Sequence, residues 1–338
     1  MKHPLTRRTF LKLGTIGCVN VLAPSILIAR AQDWHTRTKP LMGTFVKLSI
    51  RHHDRTLALE TIGRCFTSIQ KDIEHISNWN PDSPVSKLNI QKSIALTELK
   101  PYVLDFLNVG LGISAKSLNV FQPLHGTLYQ VWEQARIAQT PPDPKLITRL
   151  IHSPSEIDSK VRTQSLHLSP RARLNVGAHG KGLIADLAAK YLTNLGIHEA
   201  RIDAGGDLRF LGPGPFQVEI AHPRAETALT SITISGDVAV ATSGDSETTW
   251  EFQGKRFHHL INPYTGYPGN HHMQVTVVAP SACMADALAS TAFLLPPNKA
   301  EELIRSYKGA FALGVTASGS LWRSKPKSFN TGATFVQL

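Results

Sequence analysis

The chain has 338 residues with 36 Lys and Arg against 25 Asp and Glu, so its formal net charge is +11, and 42% of its residues are apolar. This composition is that of an ordinary globular protein and excludes a collagen, a coiled coil and an integral membrane protein. Five of the excess positive charges lie in residues 1–31, so the remainder carries +6 without a block of Lys and Arg. We therefore expect no nucleic-acid partner, whereas an anionic small molecule fits the charge.

The first 31 residues have the pattern of an export signal. Thr6-Arg7-Arg8-Thr9-Phe10-Leu11-Lys12 resembles the twin-arginine type, and an apolar stretch interrupted by a proline follows over residues 13–28. Ala29-Arg30-Ala31 offers small residues for signal cleavage, which places the mature start near Gln32. The sequence therefore predicts a signal peptide over residues 1–31 and a periplasmic protein.

The three cysteines leave two questions open. Cys18 would permit a lipoprotein anchor, although Thr15-Ile16-Gly17 lacks the usual leucine three positions before it. Cys65 and Cys283 remain after cleavage, and an oxidising periplasm would permit a bridge between them. Two buried free thiols are the alternative.

In chain order, the first predicted elements are a strand over residues 43–50, from its alternation, and a helix over 55–76, from apolar residues at helical spacing. Turn residues at 78–84 and 140–144 flank a second predicted helix over 102–117. A further helix is predicted over 183–195, short strands over 217–220, 231–234, 238–241 and 274–278, and a helical stretch over 285–291.

Helices mixed with runs of short strands indicate an α+β fold. The chain contains no internal repeat and no linker of the composition that separates domains, so we predict one domain over residues 32–338. A helical subdomain before residue 170 is the alternative.

Two glycine-rich segments are candidates for anion binding. Asn175-Val176-Gly177-Ala178-His179-Gly180-Lys181-Gly182 lies at a predicted helix start, where backbone N–H groups and the Lys181 charge would hold a phosphate. A plain turn before a helix is the alternative. Asp203-Ala204-Gly205-Gly206-Asp207 is equally compatible with an ordinary turn.

Residues 242–268 have the composition of a binding loop, with Thr242-Ser243-Gly244-Asp245 followed by a segment rich in His, Asn, Tyr and Gly. A polar loop without function is the alternative. His258 and His259 are adjacent, and neighbours on a strand point to opposite faces. We therefore expect at most one of these two histidines to face a given site.

Asp286 and Ser290 are four residues apart in a predicted helix, which places a carboxylate and a hydroxyl on one face. Oxygen ligands of this kind suit Mg²⁺, which completes its shell with water and substrate phosphate. The alternative is an Asp near a helix start that is stabilised by the helix dipole.

In their order along the chain, these segments resemble the ApbE family, the FAD:protein FMN transferases, from about residue 41 to 295. The blocks that carry the resemblance are Leu41-Met42-Gly43-Thr44, Trp79-Asn80-Pro81-Asp82-Ser83 with Leu88-Asn89, Ala204-Gly205-Gly206-Asp207, Thr242-Ser243-Gly244-Asp245, His259-Leu260-Ile261-Asn262-Pro263 with Thr265-Gly266, and Ala285-Asp286-Ala287-Leu288-Ala289.

The resemblance implies Mg²⁺-dependent transfer of FMN from FAD to a Thr or Ser hydroxyl of an acceptor protein, through a phosphoester bond and with release of AMP. It implies an FAD site formed by Met42, Trp79, Val120, Phe121, Gln122, Asn175, Lys181 and Ile261, with Ser243 and Thr265 as further candidates. The Ala178 carbonyl, Asp286 and Ser290 would bind the metal. His259 would assist deprotonation of the acceptor hydroxyl, since imidazole titrates near neutrality, and a structural role for His259 is the alternative.

This sequence departs from the family pattern at several of these positions. Gln122, Asn175 and Asn262 stand where the family usually has a carboxylate, and Ser290 stands where it has Thr. Each lost charge weakens the attraction for Mg²⁺. A catalytically weakened, exported FAD-binding protein or an FAD pyrophosphatase is therefore the alternative function, and a periplasmic interaction module is a third.

Overall fold

The computed structural model describes residues 34–151, 159–162, 164–324 and 334–336. The predicted signal peptide and Cys18 lie outside the described residues, so the division into 1–31 and 32–338 stays a prediction. In the described ranges the helices are α1 (Arg55–Ile76), α2 (Pro84–Gln91), α3 (Pro101–Lys116), α4 (Gly126–Ala138), α5 (Pro144–Leu150), α6 (Gly180–Asn194), α7 (Ala282–Leu294) and α8 (Pro297–Arg305).

The strands of the same ranges are β1 (Trp34–Leu41), β2 (Thr44–Arg51), β3 (Ser93–Ala95), β4 (Ser159–Arg162), β5 (Ser165–Leu168), β6 (Ala200–Ala204), β7 (Asp207–Leu211), β8 (Phe216–Ala221), β9 (Ala228–Ile234), β10 (Val238–Gly244), β11 (Thr249–Phe252), β12 (Lys255–His258), β13 (His272–Ala279), β14 (Phe311–Thr316), β15 (Leu321–Arg323) and β16 (Thr334–Val336).

Half of these strands belong to a sheet of eight in the order β1-β2-β6-β7-β10-β13-β14-β15. From β2 to β15, each neighbouring pair is antiparallel. The other strands of the described chain form smaller sheets, β16-β9-β8, β3-β5-β4 and β11-β12. Helices beside largely antiparallel sheets confirm the predicted α+β class.

Helix α7 is buried along nearly its whole length and packs against β10, β13 and α6. Its many alanines explain how it fits, because small side chains allow neighbouring backbones to approach from every side. The closest approach is at Gly182 of α6, where an added Cβ would lie 2.3 Å from the carbonyl oxygen of Ala282. The positions of α6 and α7 are therefore fixed relative to each other at their N-terminal ends.

A buried carboxylate, Asp72, connects α1 to the start of α3 and to α6. Asp72 of α1 is fully buried and accepts hydrogen bonds from Lys100 Nζ at 2.6 Å, Tyr102 Oη at 2.9 Å and Tyr191 Oη at 2.8 Å. These donors come from the start of α3 and from α6, so Asp72 ties both to α1. Because each donor balances part of the charge, this carboxylate has a structural role.

The structure confirms the principal predicted elements. The strand predicted over 43–50 is β2, the helix over 55–76 is α1, and the helix over 102–117 is α3. Helix α6 begins at Gly180, three residues before the predicted start, and it has no side-chain cap to mark its beginning. Helices α2, α5 and α8 were missed because each is only seven to nine residues long, too short for a clear apolar period.

The two cysteines of the described chain are separate buried thiols, so no bridge joins Cys65 and Cys283. Burial raises the pKa of Cys65 to about 12, and burial and nearby carboxylates raise that of Cys283 well above its ordinary value. Both thiols are therefore protonated and unreactive at neutral pH. Among the described residues, no helix is long and apolar enough to cross a membrane.

Candidate active site

A cavity of about 290 Å³ opens where α4, α6 and α7 meet the ends of β10 and β12. Its walls come from segments far apart in the sequence, beginning with the turn after α1 and ending on α7. Nine of the residues that the family resemblance proposed for the site line it, namely Trp79, Phe121, Asn175, Ala178, Lys181, Ser243, His259, Asp286 and Ser290.

The floor of the cavity is built by α6 and α7, whose N-terminal ends cap each other. Asp186 of α6 accepts hydrogen bonds from the backbone N–H groups of Ala282 and Cys283, both at 2.9 Å. In the opposite direction, Asp286 Oδ2 of α7 accepts the backbone N–H of Gly182 at 3.2 Å. Reciprocal capping satisfies N–H groups at both helix starts and fixes Asp286 beside the first turn of α6.

Three charged side chains meet at this floor. Lys181 Nζ lies 3.2 Å from Asp207 Oδ2, and Asp207 and Asp286 are close enough for each carboxyl group to affect the pKa of the other. Burial raises the pKa of both carboxyl groups, for Asp286 well above its ordinary value, with the neighbouring Asp207 adding to the effect. Burial lowers the pKa of Lys181, but the nearby carboxylates outweigh it, so the ammonium stays charged.

The donors around Asp286 fit a magnesium ion. Asp286 and Ser290 are both buried, both line the cavity and are one helical turn apart on α7. Ser290 Oγ lies 3.0 Å from Ser243 Oγ of β10, so a second hydroxyl is at hand. Within the described ranges no three His, Cys, Asp or Glu side chains cluster as a metal site. The possible ligands near Asp286 are instead one carboxylate and two hydroxyl oxygens. Such hard oxygen ligands bind Mg²⁺ when the substrate completes its coordination shell.

The turn before α6 contains two polar side chains with structural roles. Asn175 Oδ1 accepts the backbone N–H of Gly177 at 3.0 Å and so starts the short helical turn Val176–Ala178. His179 follows and is fully buried, with its ring stacked on Phe106 at 3.8 Å between centroids. Burial lowers the pKa of His179 to about 4, so this ring is neutral and acts as a packing residue.

The three amides that replace family carboxylates have one contact type in common. Each accepts a backbone N–H two residues further along, Asn175 from Gly177, Asn262 from Tyr264 at 2.9 Å and Gln122 from Leu124 at 3.1 Å. An amide oxygen makes these turns as a carboxylate oxygen does, because only an acceptor is needed. The local backbone geometry at all three positions therefore does not depend on the missing charge.

Both adjacent histidines line the cavity, so the expectation that at most one would face a site is wrong. The reason is that β12 ends at His258, and strand alternation does not continue to His259. His258 Nε2 donates to the Gly269 carbonyl at 2.9 Å and Nδ1 accepts the Leu260 N–H at 3.3 Å, so it holds the loop. His259 is exposed, and its Nδ1 lies 3.3 Å from the Glu247 carbonyl.

The other residues proposed for the FAD site do not line this cavity. Gln122 makes the turn contact described above, and Val120 packs against the main core. Ile261 is fully buried in the apolar cluster around Trp132, while Thr265 is exposed in the next turn. Met42 lies in the turn between β1 and β2. The roles proposed for these five residues stay predictions.

Sequence reasoning missed one wall of the cavity and one residue of its floor. The wall is α4, which contributes Tyr129, Trp132 and Glu133, and it was missed because no helix was predicted there. The floor residue is Asp207, which the sequence indicates only as part of a glycine turn and of a block that carries the family resemblance. No local pattern separates a turn Asp from one that contacts a lysine and a second carboxyl group, because both partners come from other parts of the chain.

Comparison with known proteins now assigns the chain to a family. A model of the ApbE family matches residues 42–313, which include every residue of the cavity floor. The chain belongs to the ApbE family. Two FAD:protein FMN transferases are similar to it at 27% identity, that of Escherichia coli (strain K12) over 304 residues and that of Treponema pallidum (strain Nichols) over 312 residues. The matches cover 84% of this chain and 84% of the E. coli protein, and 85% of this chain and 85% of the T. pallidum protein.

Solved structures of ApbE proteins have the same fold. The Thermotoga maritima ApbE protein superposes with a TM-score of 0.73 at 22% identity, covering 86% of this chain and 97% of that one. The flavin transferase ApbE from Vibrio cholerae gives 0.71 at 21% identity, covering 88% and 98%. This similarity confirms the α+β fold of the ApbE family member described here.

Proposed function

We propose that this ApbE protein is a flavin transferase that moves FMN from FAD to a Ser or Thr hydroxyl of an acceptor protein, with Mg²⁺ bound and AMP released. The two relatives named FAD:protein FMN transferase match more than four fifths of the chain. The observation that carries the proposal is the convergence of Lys181, Asp286 and Ser290 at the floor of one cavity. An ammonium beside hard oxygen ligands is suited to a pyrophosphate with its metal.

In this proposal the N-terminal end of α6 and Lys181 bind the phosphates of FAD. Backbone N–H groups in the first turn of a helix and the positive end of its dipole attract anions, and the Lys181 ammonium adds a full charge. The Ala178 carbonyl, Asp286 and Ser290 would hold Mg²⁺, which offsets negative charge on the phosphoryl oxygens and on the leaving AMP.

The transfer makes one phosphorus–oxygen bond and breaks another. The acceptor hydroxyl oxygen bonds to the phosphorus of the FMN half, the bond between the two phosphates breaks, and AMP leaves with the bridging oxygen. The hydroxyl proton goes to a base, for which His259 is our candidate. A carbonyl only accepts, so the contact with Glu247 makes Nδ1 of His259 the donor and leaves Nε2 as the basic nitrogen.

The amides at Gln122, Asn175 and Asn262 motivate the alternative, a weakened FAD-binding protein or an FAD pyrophosphatase. Their contacts favour a working transferase, because all three oxygens already make backbone turns that need no charge. The loss of negative charge would then act only on the affinity for Mg²⁺, which a millimolar metal concentration offsets.

The decisive experiment incubates residues 32–338 with FAD, Mg²⁺ and an acceptor domain that contains a flavinylation motif, and measures acceptor mass together with AMP. We expect the acceptor to gain one FMN moiety and one AMP to appear per transfer, only when Mg²⁺ is present. Free FMN and AMP with an unmodified acceptor would favour the pyrophosphatase, and intact bound FAD would favour the flavin-binding alternative.

Two variants assign roles within this assay. Asp286→Ala should abolish the Mg²⁺-dependent rate, and unchanged transfer would rule out the metal assignment. His259→Ala should lower the transfer rate much more than FAD affinity, because it removes a base from the cavity mouth. An equal loss of both would make His259 a binding residue.

Export to the periplasm is a separate part of the proposal and depends on residues 1–31 alone. Replacing both Arg7 and Arg8 by Lys should retain the full-length precursor in the cytoplasm, as measured by cell fractionation. Periplasmic processing of the double variant at the normal rate would contradict a twin-arginine route.

A further inference from the structure

Asp207 is a fully buried acid that lies behind the cavity floor, where it contacts the lining residue Lys181. It is the first residue of β7 and follows Gly205 and Gly206, whose positive φ values of 68° and 99° turn the chain back. Its side chain reaches Lys181 of α6 and Asp286 of α7. It therefore links the start of β7 to the first turn of α6 and lies near Asp286 of α7.

The contacts of Asp207 differ from those of the other buried acids. Asp72 accepts from three side-chain donors, and Asp186 accepts two backbone N–H groups. Asp207 Oδ2, by contrast, has the Lys181 ammonium at 3.2 Å as its ion-pair partner but no well-formed hydrogen bond within the described structure, although Asp207 is only 1% exposed. Burying an acid in this way is costly. Structural stability alone therefore does not account for it.

We propose that Asp207 is a positioning residue that holds the Lys181 ammonium and the Asp286 carboxylate in one arrangement, so that Mg²⁺ and the phosphates of FAD bind cooperatively. This inference rests on the proposed function, which supplies the two ligands.

The physical reason lies in the geometry of the three groups. Lysine has a long flexible side chain, and Lys181 is only half-buried, so a fixed carboxylate at 3.2 Å limits where its ammonium can lie. The neighbouring carboxylates of Asp207 and Asp286 repel each other, and the Lys181 ammonium offsets this repulsion only in part. A cation at Asp286 removes that repulsion, and the ordered ammonium then faces the same phosphate, so each ligand improves the site for the other.

The test measures FAD affinity by flavin fluorescence, with and without Mg²⁺, for the wild type and for Asp207→Asn. The asparagine keeps the shape and removes the charge. The matched control is Asp203→Asn on the same hairpin, because Asp203 Oδ1 accepts the Gly206 N–H at 2.8 Å and forms no ion pair with Lys181 in the described structure. Thermal unfolding without ligands is recorded for all three proteins.

We expect Mg²⁺ to increase the FAD affinity of the wild type, and this gain to fall by about tenfold or more in Asp207→Asn. In Asp203→Asn the gain in FAD affinity on adding Mg²⁺ should stay within about twofold of the wild-type gain. In a Lys181→Ala background, Asp207→Asn should have less than about a twofold effect on FAD affinity without Mg²⁺, because its partner is gone. The unfolding temperature of Asp207→Asn should change little, because the lost ion pair with Lys181 is offset by removal of a buried charge.

The proposal is overturned if Asp207→Asn keeps the wild-type gain, if Asp203→Asn loses as much, or if Asp207→Asn unfolds at a markedly lower temperature with its Mg²⁺ response intact. Failure of the proposed function is measured on the wild type and not on the variants. A wild type that binds no FAD, or whose affinity ignores Mg²⁺, refutes the function itself before any variant is compared.

Discussion

The contact between α6 and α7 at Gly182 gives a sharp prediction about stability and activity together. An added Cβ would lie 2.3 Å from the carbonyl oxygen of Ala282 and 2.8 Å from the nitrogen of Cys283. Both atoms belong to the backbone of a buried helix, so no side chain can rotate away. Gly182→Ala must therefore move the two helix starts apart by about 1 Å to reach an ordinary contact distance.

The magnitude follows from three contributions. Overpacking of a close backbone contact costs about 3 kcal/mol, and weakening the bond from the Gly182 N–H to Asp286 costs about 1 to 2 kcal/mol more. Replacing glycine by alanine within a helix returns about 1 kcal/mol. We expect Gly182→Ala to lower the free energy of unfolding by about 3 to 4 kcal/mol and to displace Asp286 from the first turn of α6.

The assay is urea unfolding followed by circular dichroism, with Gly112→Ala as the matched control. Gly112 is also inside a helix, but an added Cβ there meets nothing within 4 Å. The control should be stabilised by up to about 1 kcal/mol. A loss below about 1 kcal/mol for Gly182→Ala, with Mg²⁺-dependent transfer intact, would refute the argument that this contact fixes the floor of the site.

Three further predictions concern single side chains. Asp72→Ala should lower the free energy of unfolding by about 3 to 5 kcal/mol in the same urea assay, because it leaves the Lys100 ammonium and two tyrosine hydroxyls without their buried partner; a loss under about 1 kcal/mol would contradict the structural role. The pKa of His179 is lowered to about 4, so the unfolded chain binds one more proton than the folded chain between about pH 6.5 and 4. The free energy of unfolding of the wild type should therefore fall by about 3 kcal/mol as the pH is lowered over that window, and His179→Gln should remove this loss. Parallel curves of stability against pH for the two proteins would refute this. Asn175→Asp should keep the turn to Gly177 and raise the affinity for Mg²⁺ in calorimetry, since it adds a charge to the cavity wall, and an unchanged or lower affinity would show that this charge is unimportant.

The sequence predicted the elements whose signals are local. The apolar period of α1 is sustained over six turns, and its prediction matches the structure at both ends. Alternation identified β2, and the spacing of Asp286 and Ser290 correctly placed them on one helix. The family resemblance was equally local, because short ordered blocks such as those at Met42 and Asp286 can be read without knowing how the chain folds.

Only the tertiary structure decided which of these residues meet. Asp207 shows this most clearly, since a turn sequence does not reveal that its side chain reaches Lys181 and Asp286, 26 and 79 positions away in the chain. The same holds for Gly182, because only the close approach of α7 requires a glycine there. It also holds for His258 and His259, because both face the cavity only since β12 ends at His258. Backbone period and turn chemistry are properties of neighbouring residues, so the sequence by itself determined the family and the elements with a clear local signal, such as α1 and β2. The charge balance and close contacts of the site arise between distant segments, and packing alone brings them together.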